Sequence, residues 1–415
     1  MASFDPAVAT AAYLAELTPA AHAKATAYTQ GGHWLLLWGW LVTLIASWLI
    51  LKSGVLARTE ARLEARKPRF LLTSFLLSLI YLLADWVLEL PWQSYAEWWR
   101  EKQYGLNNQT WLGWFGDNVT ETGVSLVVLA IFLVAIYALM RRAPKTWPIW
   151  AGVLTAGFLL FTAWAQPVVL DPMLNTYTPA PAGPVRDVVV ALGKANGVPT
   201  DKIFVFNGSK QSDRYTANVA GLFGSARVAL SDSMFAKGAD IAEIKGVVGH
   251  EMGHYVHQHS IWDAGANAIL VMLGSWLMLV MFPTACRLLG AGEVGEISDP
   301  AGLPVVMILF ATLSLLATPV SSTISRMAEA DADSFSLEHA NAPDGLAKAL
   351  VKTIEYRASS PSDLEEFVFY DHPSVEHRVR KAMDWKAAHM STAATAAAAT
   401  APAVAASSAP TPATH

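Results

Sequence analysis

The sequence predicts an all-α multi-pass membrane protein, with about six transmembrane helices and a small soluble α+β portion. Three observations lead there. Of the 415 residues, 53% are hydrophobic and only 15% charged, with sixteen tryptophans, the profile of a chain that meets lipid. The apolar residues gather into six runs long enough to cross a bilayer. Between and after these runs, sequence of ordinary soluble character resumes twice, so the part outside the membrane is split around the last two spans.

Residues 1–30 are Ala-rich and hold no span, which suits a short helix lying at the interface. Four spans fill residues 31–170, at 33–51, 70–90, 124–140 and 147–170, with Pro91 ending the second. A basic loop with Lys52, Arg58, Arg62, Arg66, Lys67 and Arg69 follows the first span. A tight loop with Arg141, Arg142 and Lys145 joins the third to the fourth. Residues 92–117, rich in Trp, Asn and Gly, read as an interfacial loop. Asp85 and Glu89, one turn apart in the second span, are costly in lipid and should face water or protein.

From Asp171 the character changes. A Pro/Thr/Gly linker leads to an amphipathic helix at 185–197, a strand at 202–206, a turn at Asn207-Gly208 and a second strand at 227–230. A helix covers 241–259 and closes the first soluble portion, 171–260. Spans at 262–282 and 303–318 fill residues 261–320, the second ended by Pro319. Residues 321–388 form a second soluble portion. The Ala/Thr/Pro tail, 389–415, cannot bury a core and reads as disordered.

The net charge of −5 gives no reason to expect a nucleic acid partner. The single cysteine, Cys286, rules out an intramolecular disulfide framework and a Cys-rich metal site, and reads as a small core residue. No basic segment runs directly into an apolar one at the N-terminus, so a cleaved signal peptide is not expected.

The chemistry centres on His250-Glu251-Met252-Gly253-His254. Histidines at i and i+4 sit one turn apart on one helix face, where both can bind one zinc ion. Glu251 beside them can take a proton from a zinc-activated water. Such a site needs a third ligand. A histidine six places after the second fails, because that position is Ser260, and His257 and His259 lie too close along the same helix to close the site. An LDG-like aspartate in an apolar span fails too, since Asn341-Ala342-Pro343-Asp344-Gly345 reads as a polar turn. A glutamate from a later helix remains. In a helix, Glu329 and Asp333 share a face, so Glu329 can bind zinc while Asp333 accepts an N–H from a ligand histidine. A solvated acidic helix face is the other reading of the same residues.

With these residues in view the chain resembles the type I CaaX prenyl proteases, integral-membrane zinc metalloendopeptidases. The likeness spans residues 30 to 385. It includes the run Glu101-Lys102-Gln103-Tyr104-Gly105-Leu106-Asn107-Asn108-Gln109-Thr110, then Val205-Phe206-Asn207-Gly208-Ser209-Lys210, then Thr216-Ala217-Asn218. The zinc helix, the segment from Arg326 through Asp333, and His372-Pro373-Ser374 with Glu376 and Arg378 follow in order. The resemblance implies one Zn2+ per chain on His250, His254 and Glu329, with Asp333 orienting a ligand and Glu251 as general base. It further implies His372 and Arg378 as donors to the oxyanion and Asn218 as a hydrogen-bond partner of the substrate backbone. The strand at 227–230 is the expected edge for an extended peptide.

The family fold surrounds a large chamber with seven spans, whereas six are found here. The family also places its zinc site on the cytoplasmic side. Yet the basic loops fall on the other side of the membrane from His250, and the positive-inside rule would put those loops in the cytoplasm. The resemblance implies C-terminal processing of prenylated proteins, with a peptide or protein substrate and the bilayer as partners and the zinc site on the cytoplasmic face; the Ala-rich composition suggests a bacterial source and hence the inner membrane. Alternatives are a membrane-protein quality-control protease indifferent to lipid and a non-proteolytic zinc-binding scaffold or chaperone.

Overall fold

The computed structural model describes residues 4–400 apart from Arg66, Phe223, Lys237, Gly238 and Glu293. Arg66 of the basic loop and the tail beyond Thr400 lie outside the described residues. The helices are α1 (Pro6–Leu14), α2 (Pro19–Ser53), α3 (Val55–Glu64), α4 (Phe70–Gln93), α5 (Trp111–Arg142) and α6 (Trp147–Ala165). After a short linker come α7 (Pro184–Ala195), α8 (Ile241–Val256), α9 (His259–Leu289), α10 (Leu303–Ala340), α11 (Pro343–Lys352), α12 (Asp363–Phe369) and α13 (Val375–Thr400). Among the described residues 6 helices are long and apolar enough to cross a membrane, those built on α2, α4, α5, α6, α9 and α10.

The prolines do not end their spans as expected. Pro91 lies inside α4, and the chain stays helical through a wide turn at Ser94–Trp99 and on to Gln103. Most of the first half of the expected 92–117 loop is therefore helix. Pro319 lies inside α10, which runs unbroken to Ala340. A proline forfeits one N–H and crowds the carbonyl four residues back, but a long helix keeps the rest of its ladder and can absorb the kink. The sixth span and the Glu329 segment are thus one rod. A break absent from the expectation occurs at Gln258, whose left-handed backbone (φ 56, ψ 39) separates α8 from α9. A non-glycine residue there cannot continue an α-helix, so the helix expected over 241–259 is two helices.

The N-terminal segment packs against the end of the chain, and residues from Pro19 onward already belong to α2, the helix of the first span. Phe4, Ala9, Tyr13, Leu14 and Leu17 pack against the cluster of Leu346, Leu350, Val379 and Met383 on α11 and α13. The Tyr13 hydroxyl donates to Asp344 Oδ1 at 2.7 Å, and Lys386 pairs with the same carboxylate. Asp344 thus lies in the first turn of α11 and not in a polar turn as expected, and its carboxylate serves these packing contacts. At the other end α13 continues past residue 388 to Thr400, since alanine is the strongest helix former.

The sheet comprises β1 (Tyr177–Pro179), β2 (Ile203–Phe206), β3 (Ala217–Ala220) and β4 (Arg227–Ser231) in the order β1-β2-β4-β3. Strand β4 runs parallel to β2 and antiparallel to β3. It is buried along its whole length, as suits a strand with neighbours on both sides. The strand at 227–230 is therefore not an edge; β3, which carries Asn218, is. One face of α8, with Ile244, Val248 and Met252 at helical spacing, packs onto Val228 and Leu230 and onto Val189 and Leu192 of α7.

In the membrane region the two acidic groups face protein. The Thr43 hydroxyl donates to Glu89 Oε1 at 2.6 Å, and the Tyr81 hydroxyl reaches Asp85 Oδ1 at 3.4 Å and Ser47 at 2.8 Å. The basic loops gather at the far end of the bundle. Lys52 Nζ donates to the Gly290 carbonyl, just past α9, and Arg141 stacks on Phe70. At ~1.5 Å per residue α9 puts Gly290 roughly 46 Å from His259, so these loops and His250 lie at opposite ends of the bundle.

A third face of α8 is a row of glycines. A Cβ on Gly249 would lie 2.9 Å from Ala340 Cβ and Ser336 Oγ, and one on Gly253 3.0 Å from the Ala332 Cα. The Ser336 hydroxyl donates to the Gly246 carbonyl at 2.7 Å across the same seam. A Cβ on Gly246 would meet Leu346 backbone N and Cα at 2.8 Å. Gly246→Ala is accordingly expected to destabilise the soluble portion by about 1–3 kcal/mol, lowering Tm and zinc content together. Gly265→Ala, with nothing within 4 Å of its Cβ, should leave both unchanged.

Candidate active site

The glycine seam lets α8 and α10 approach closely, and what meets across it is a cluster of metal-ligand atoms. His250 Nε2 and His254 Nε2 lie 3.2 Å apart. Glu329 Oε2 is 3.2 Å from His250 Nε2, and Oε1 is 3.4 Å from His254 Nε2. Behind His250, Nδ1 is 3.0 Å from Asp333 Oδ1. Arg378 holds Asp333 with two donors, Nε to Oδ2 and Nη2 to Oδ1, both at 2.7 Å. Asp333 is almost wholly buried, so this pairing keeps an otherwise costly charge in place.

The donor set fits a zinc ion. His250 gives its Nδ1 proton to Asp333, which leaves a lone pair on Nε2. That lone pair faces the Nε2 of His254 and a buried Glu329 oxygen that has no hydrogen-bond partner. Two imidazole nitrogens and a carboxylate oxygen converge there, an arrangement that a cation taking the place of the Nε2 proton satisfies. Two imidazoles and a carboxylate leave a fourth position open, as zinc hydrolases require.

His254 has its own support. Its Nδ1 is 2.8 Å from His259 Nδ1, and His259 Nε2 is 3.1 Å from Asp331 Oδ2. With the His254 lone pair on Nε2, its Nδ1–H donates to His259, which in turn donates through Nε2 to Asp331. His259 is buried. Sequence reasoning set His259 aside and gave Asp331 no role, because the link depends on the break at Gln258, for which no local signal exists. His257 and His259 are indeed not partners of Glu329, but they do not share a helix.

A cavity of about 400 Å³ opens onto this cluster, lined by His250, Glu251, Glu329, His372 and Arg378. Arg214, Lys352 and Arg357 also line it. Burial pushes the Glu251 carboxyl above the usual carboxylate range, towards the value a general base needs. Burial likewise lowers His372. Its Nε2 lies 3.2 Å from Glu329 Oε1, and its Nδ1 lies 2.8 Å from Asp371. Arg378 has Nε and Nη2 committed to Asp333, leaving Nη1 as the donor that carboxylate does not engage. Seven of the residues singled out by sequence, His250, Glu251, His254, Glu329, Asp333, His372 and Arg378, gather at one place. Asn218 is apart from them on edge strand β3, outside the cavity lining, with a buried Oδ1 that lacks a partner.

In the metal-free protein burial works against a charged His250, but the carboxylates of Asp333 and Glu329 outweigh it and raise its pKa to about 9. Imidazole must be neutral to bind zinc. At about pH 7.5 zinc binding should therefore release about one proton from His250, read as a dependence of the calorimetric enthalpy on the ionisation enthalpy of the buffer. Asp333→Ala should weaken zinc binding by about 10–100-fold.

Residues 179–386, which include the spans built on α9 and α10, match the family described as Peptidase family M48. Residues 7–176 match the family described as CAAX prenyl protease N-terminal, five membrane helices. The chain is 29% identical over 377 residues to "Uncharacterized metalloprotease YhfN" of Bacillus subtilis, covering 88% of this chain and 86% of that one. It is 26% identical to the CAAX prenyl protease 1 homolog of Arabidopsis thaliana, covering 71% of this chain and 69% of the relative. CAAX prenyl protease 1 of Saccharomyces cerevisiae is also 26% identical, over 71% of this chain and 68% of its own. In fold the chain matches the crystal structure of S. mikatae Ste24p with a TM-score of 0.71 at 21% identity, over 89% of this chain and 90% of that one. A chain with this membrane bundle, this converging ligand set and these relatives belongs to peptidase family M48, as an integral-membrane zinc metalloendopeptidase of the type I CaaX prenyl protease family.

Proposed function

We propose that this protein cleaves peptide bonds close to the C-terminus of substrates delivered from the membrane, in the manner of CaaX processing. The observation that carries the reading is the basic lining of the cavity. Arg214, Lys352 and Arg357 line the same space as His250, Glu251 and Glu329, and cations beside the ligand cluster suit a substrate whose terminal carboxylate lies near the scissile bond. Arg214 and Lys352 also pair with Glu101 and Glu243, whereas Arg357 contacts His372 and the Tyr356 ring. Arg357 is thus the best placed of the three to meet an incoming carboxylate.

In this reading His250, His254 and Glu329 hold the zinc, which when bound polarises the substrate carbonyl and lowers the pKa of water towards neutrality. Glu251 takes a proton from the attacking water and passes it to the leaving amine, a transfer worth ~10²–10⁴-fold. His372 and the free Nη1 of Arg378 donate to the carbonyl oxygen as negative charge develops on it. Asp333 holds the His250 ring, and Arg378 holds Asp333. The open side of β3 pairs with the extended substrate backbone, with Asn218 contributing its amide. No group here needs to form a bond to the acyl carbon.

A second reading, a membrane-protein quality-control protease indifferent to lipid, draws support from the coverage of the bacterial relative. YhfN, described only as a metalloprotease, aligns over more of the chain than do the plant and yeast CAAX proteases. One comparison separates the two. Detergent-purified wild type and Glu251→Ala are assayed for zinc and for cleavage of a farnesylated CaaX peptide beside its unmodified twin. Both proteins should hold one zinc, and the variant should lose at least ~10²-fold in rate. Preference for the farnesylated peptide supports CaaX processing. Equal cleavage of the twins favours the second reading, and activity unchanged in Glu251→Ala rules out the mechanism.

A further inference from the structure

The left-handed residue between α8 and α9 does more than end a helix. In a continuous helix His257 and His259, two residues apart, would point roughly 200° from one another. With Gln258 turned (φ 56, ψ 39), both rings face Asp331 of α10. His257 Nδ1 and His259 Nε2 both contact Asp331 Oδ2, the latter at 3.1 Å. The three ligand atoms lie within 4.8 Å of one another. The His257 ring is braced edge-on against Phe335, with ring centroids 5.4 Å apart. One ligand is buried and two are open to water, with side-chain exposures of 10% for His259, 39% for His257 and 48% for Asp331. Two imidazoles and one carboxylate, with one side open, suit zinc far better than calcium or magnesium.

We propose that His257, His259 and Asp331 form a second, inhibitory zinc site that switches the enzyme off when free zinc is high. The inference rests on the reading that His254 is a ligand of the catalytic ion. The coupling runs through His259, which serves both places. While the second site is empty, its proton is on Nε2 and its Nδ1 accepts from His254, holding that ring in position. An ion on His259 needs the Nε2 lone pair, so the proton moves to Nδ1. Two N–H groups then face each other across the 2.8 Å now bridged by one hydrogen bond. The His254 ring has to turn away, and the catalytic ion loses a well-aligned ligand. No proton is created or lost in this exchange; it changes nitrogen. His257 takes no part in the link to His254, so it offers a way to remove the second site alone.

The test uses the full chain in detergent, dialysed against a series of buffered free zinc concentrations, with bound zinc and peptide cleavage measured on the same samples. Wild type should go from about one to about two zinc ions per chain, with activity falling at the same midpoint. His257→Ala should keep the first ion and the activity at low zinc. Its second binding step and its inhibition should both move to at least about tenfold higher zinc. Identical second steps in wild type and His257→Ala would overturn the site. A second ion that binds at these residues while activity stays constant would overturn the inhibitory link. His250→Ala keeps the two failures apart: it should lose the first ion and retain the second, and if it loses neither, the catalytic assignment is what fails.

Discussion

Everything in the site depends on how closely two helices can approach. Gly246, Gly249 and Gly253 strip one face of α8 of side chains, so the backbones of α10 and α11 come within contact of its own. At an ordinary separation of 8–10 Å, set by larger side chains, Glu329 would not reach His250 and His254, nor would Asp333 reach the ring behind. The same helix spends its other two faces on the sheet core and on the ligands. A single α-helix has only three such faces, and here each has a distinct task.

The metal site is a stack of single-partner contacts. Arg378 fixes Asp333, Asp333 fixes His250, and Asp331 through His259 fixes His254. The two histidines are therefore oriented from opposite directions by different elements, one reaching α13 and one reaching the start of α9. Removing either support would free one ring while the other stayed in place, which explains why a site of three ligands draws on four helices.

Much of this was legible in sequence, and for a physical reason. The six spans declare themselves by length and apolarity, and the i, i+4 histidines and the Glu329–Asp333 pair depend only on helical period. Ligands within one helix are fixed by local geometry. What could not be read is what depends on long-range partners. The strand at 227–230 looked like an edge because nothing local says that β3 folds back onto one side of it while β2 covers the other. Pro91 and Pro319 looked like ends because isolated prolines usually are, yet the surrounding bundle keeps both helices intact. The turn at Gln258 carries no glycine to announce it, so His257, His259 and Asp331 could not be brought together on paper.

The contact between the first and last parts of the chain bears on how the protein comes to be made. Tyr13 bonds to Asp344 across 331 positions, and Phe4 to Leu17 lie against helices near the other end. The ribosome must therefore release almost the whole chain, with all six spans already placed in the bilayer, before the first helix finds its seat. Contacts so distant in sequence form late and slowly. Glu329, the proposed third ligand, also emerges late. A growing chain thus holds the histidine helix for a long interval without the partner that completes it, and proteolytic competence arrives only with the finished molecule. For a hydrolase assembled inside a membrane, this order of events delays activity until the late-emerging segment around residue 329 has joined the histidine helix.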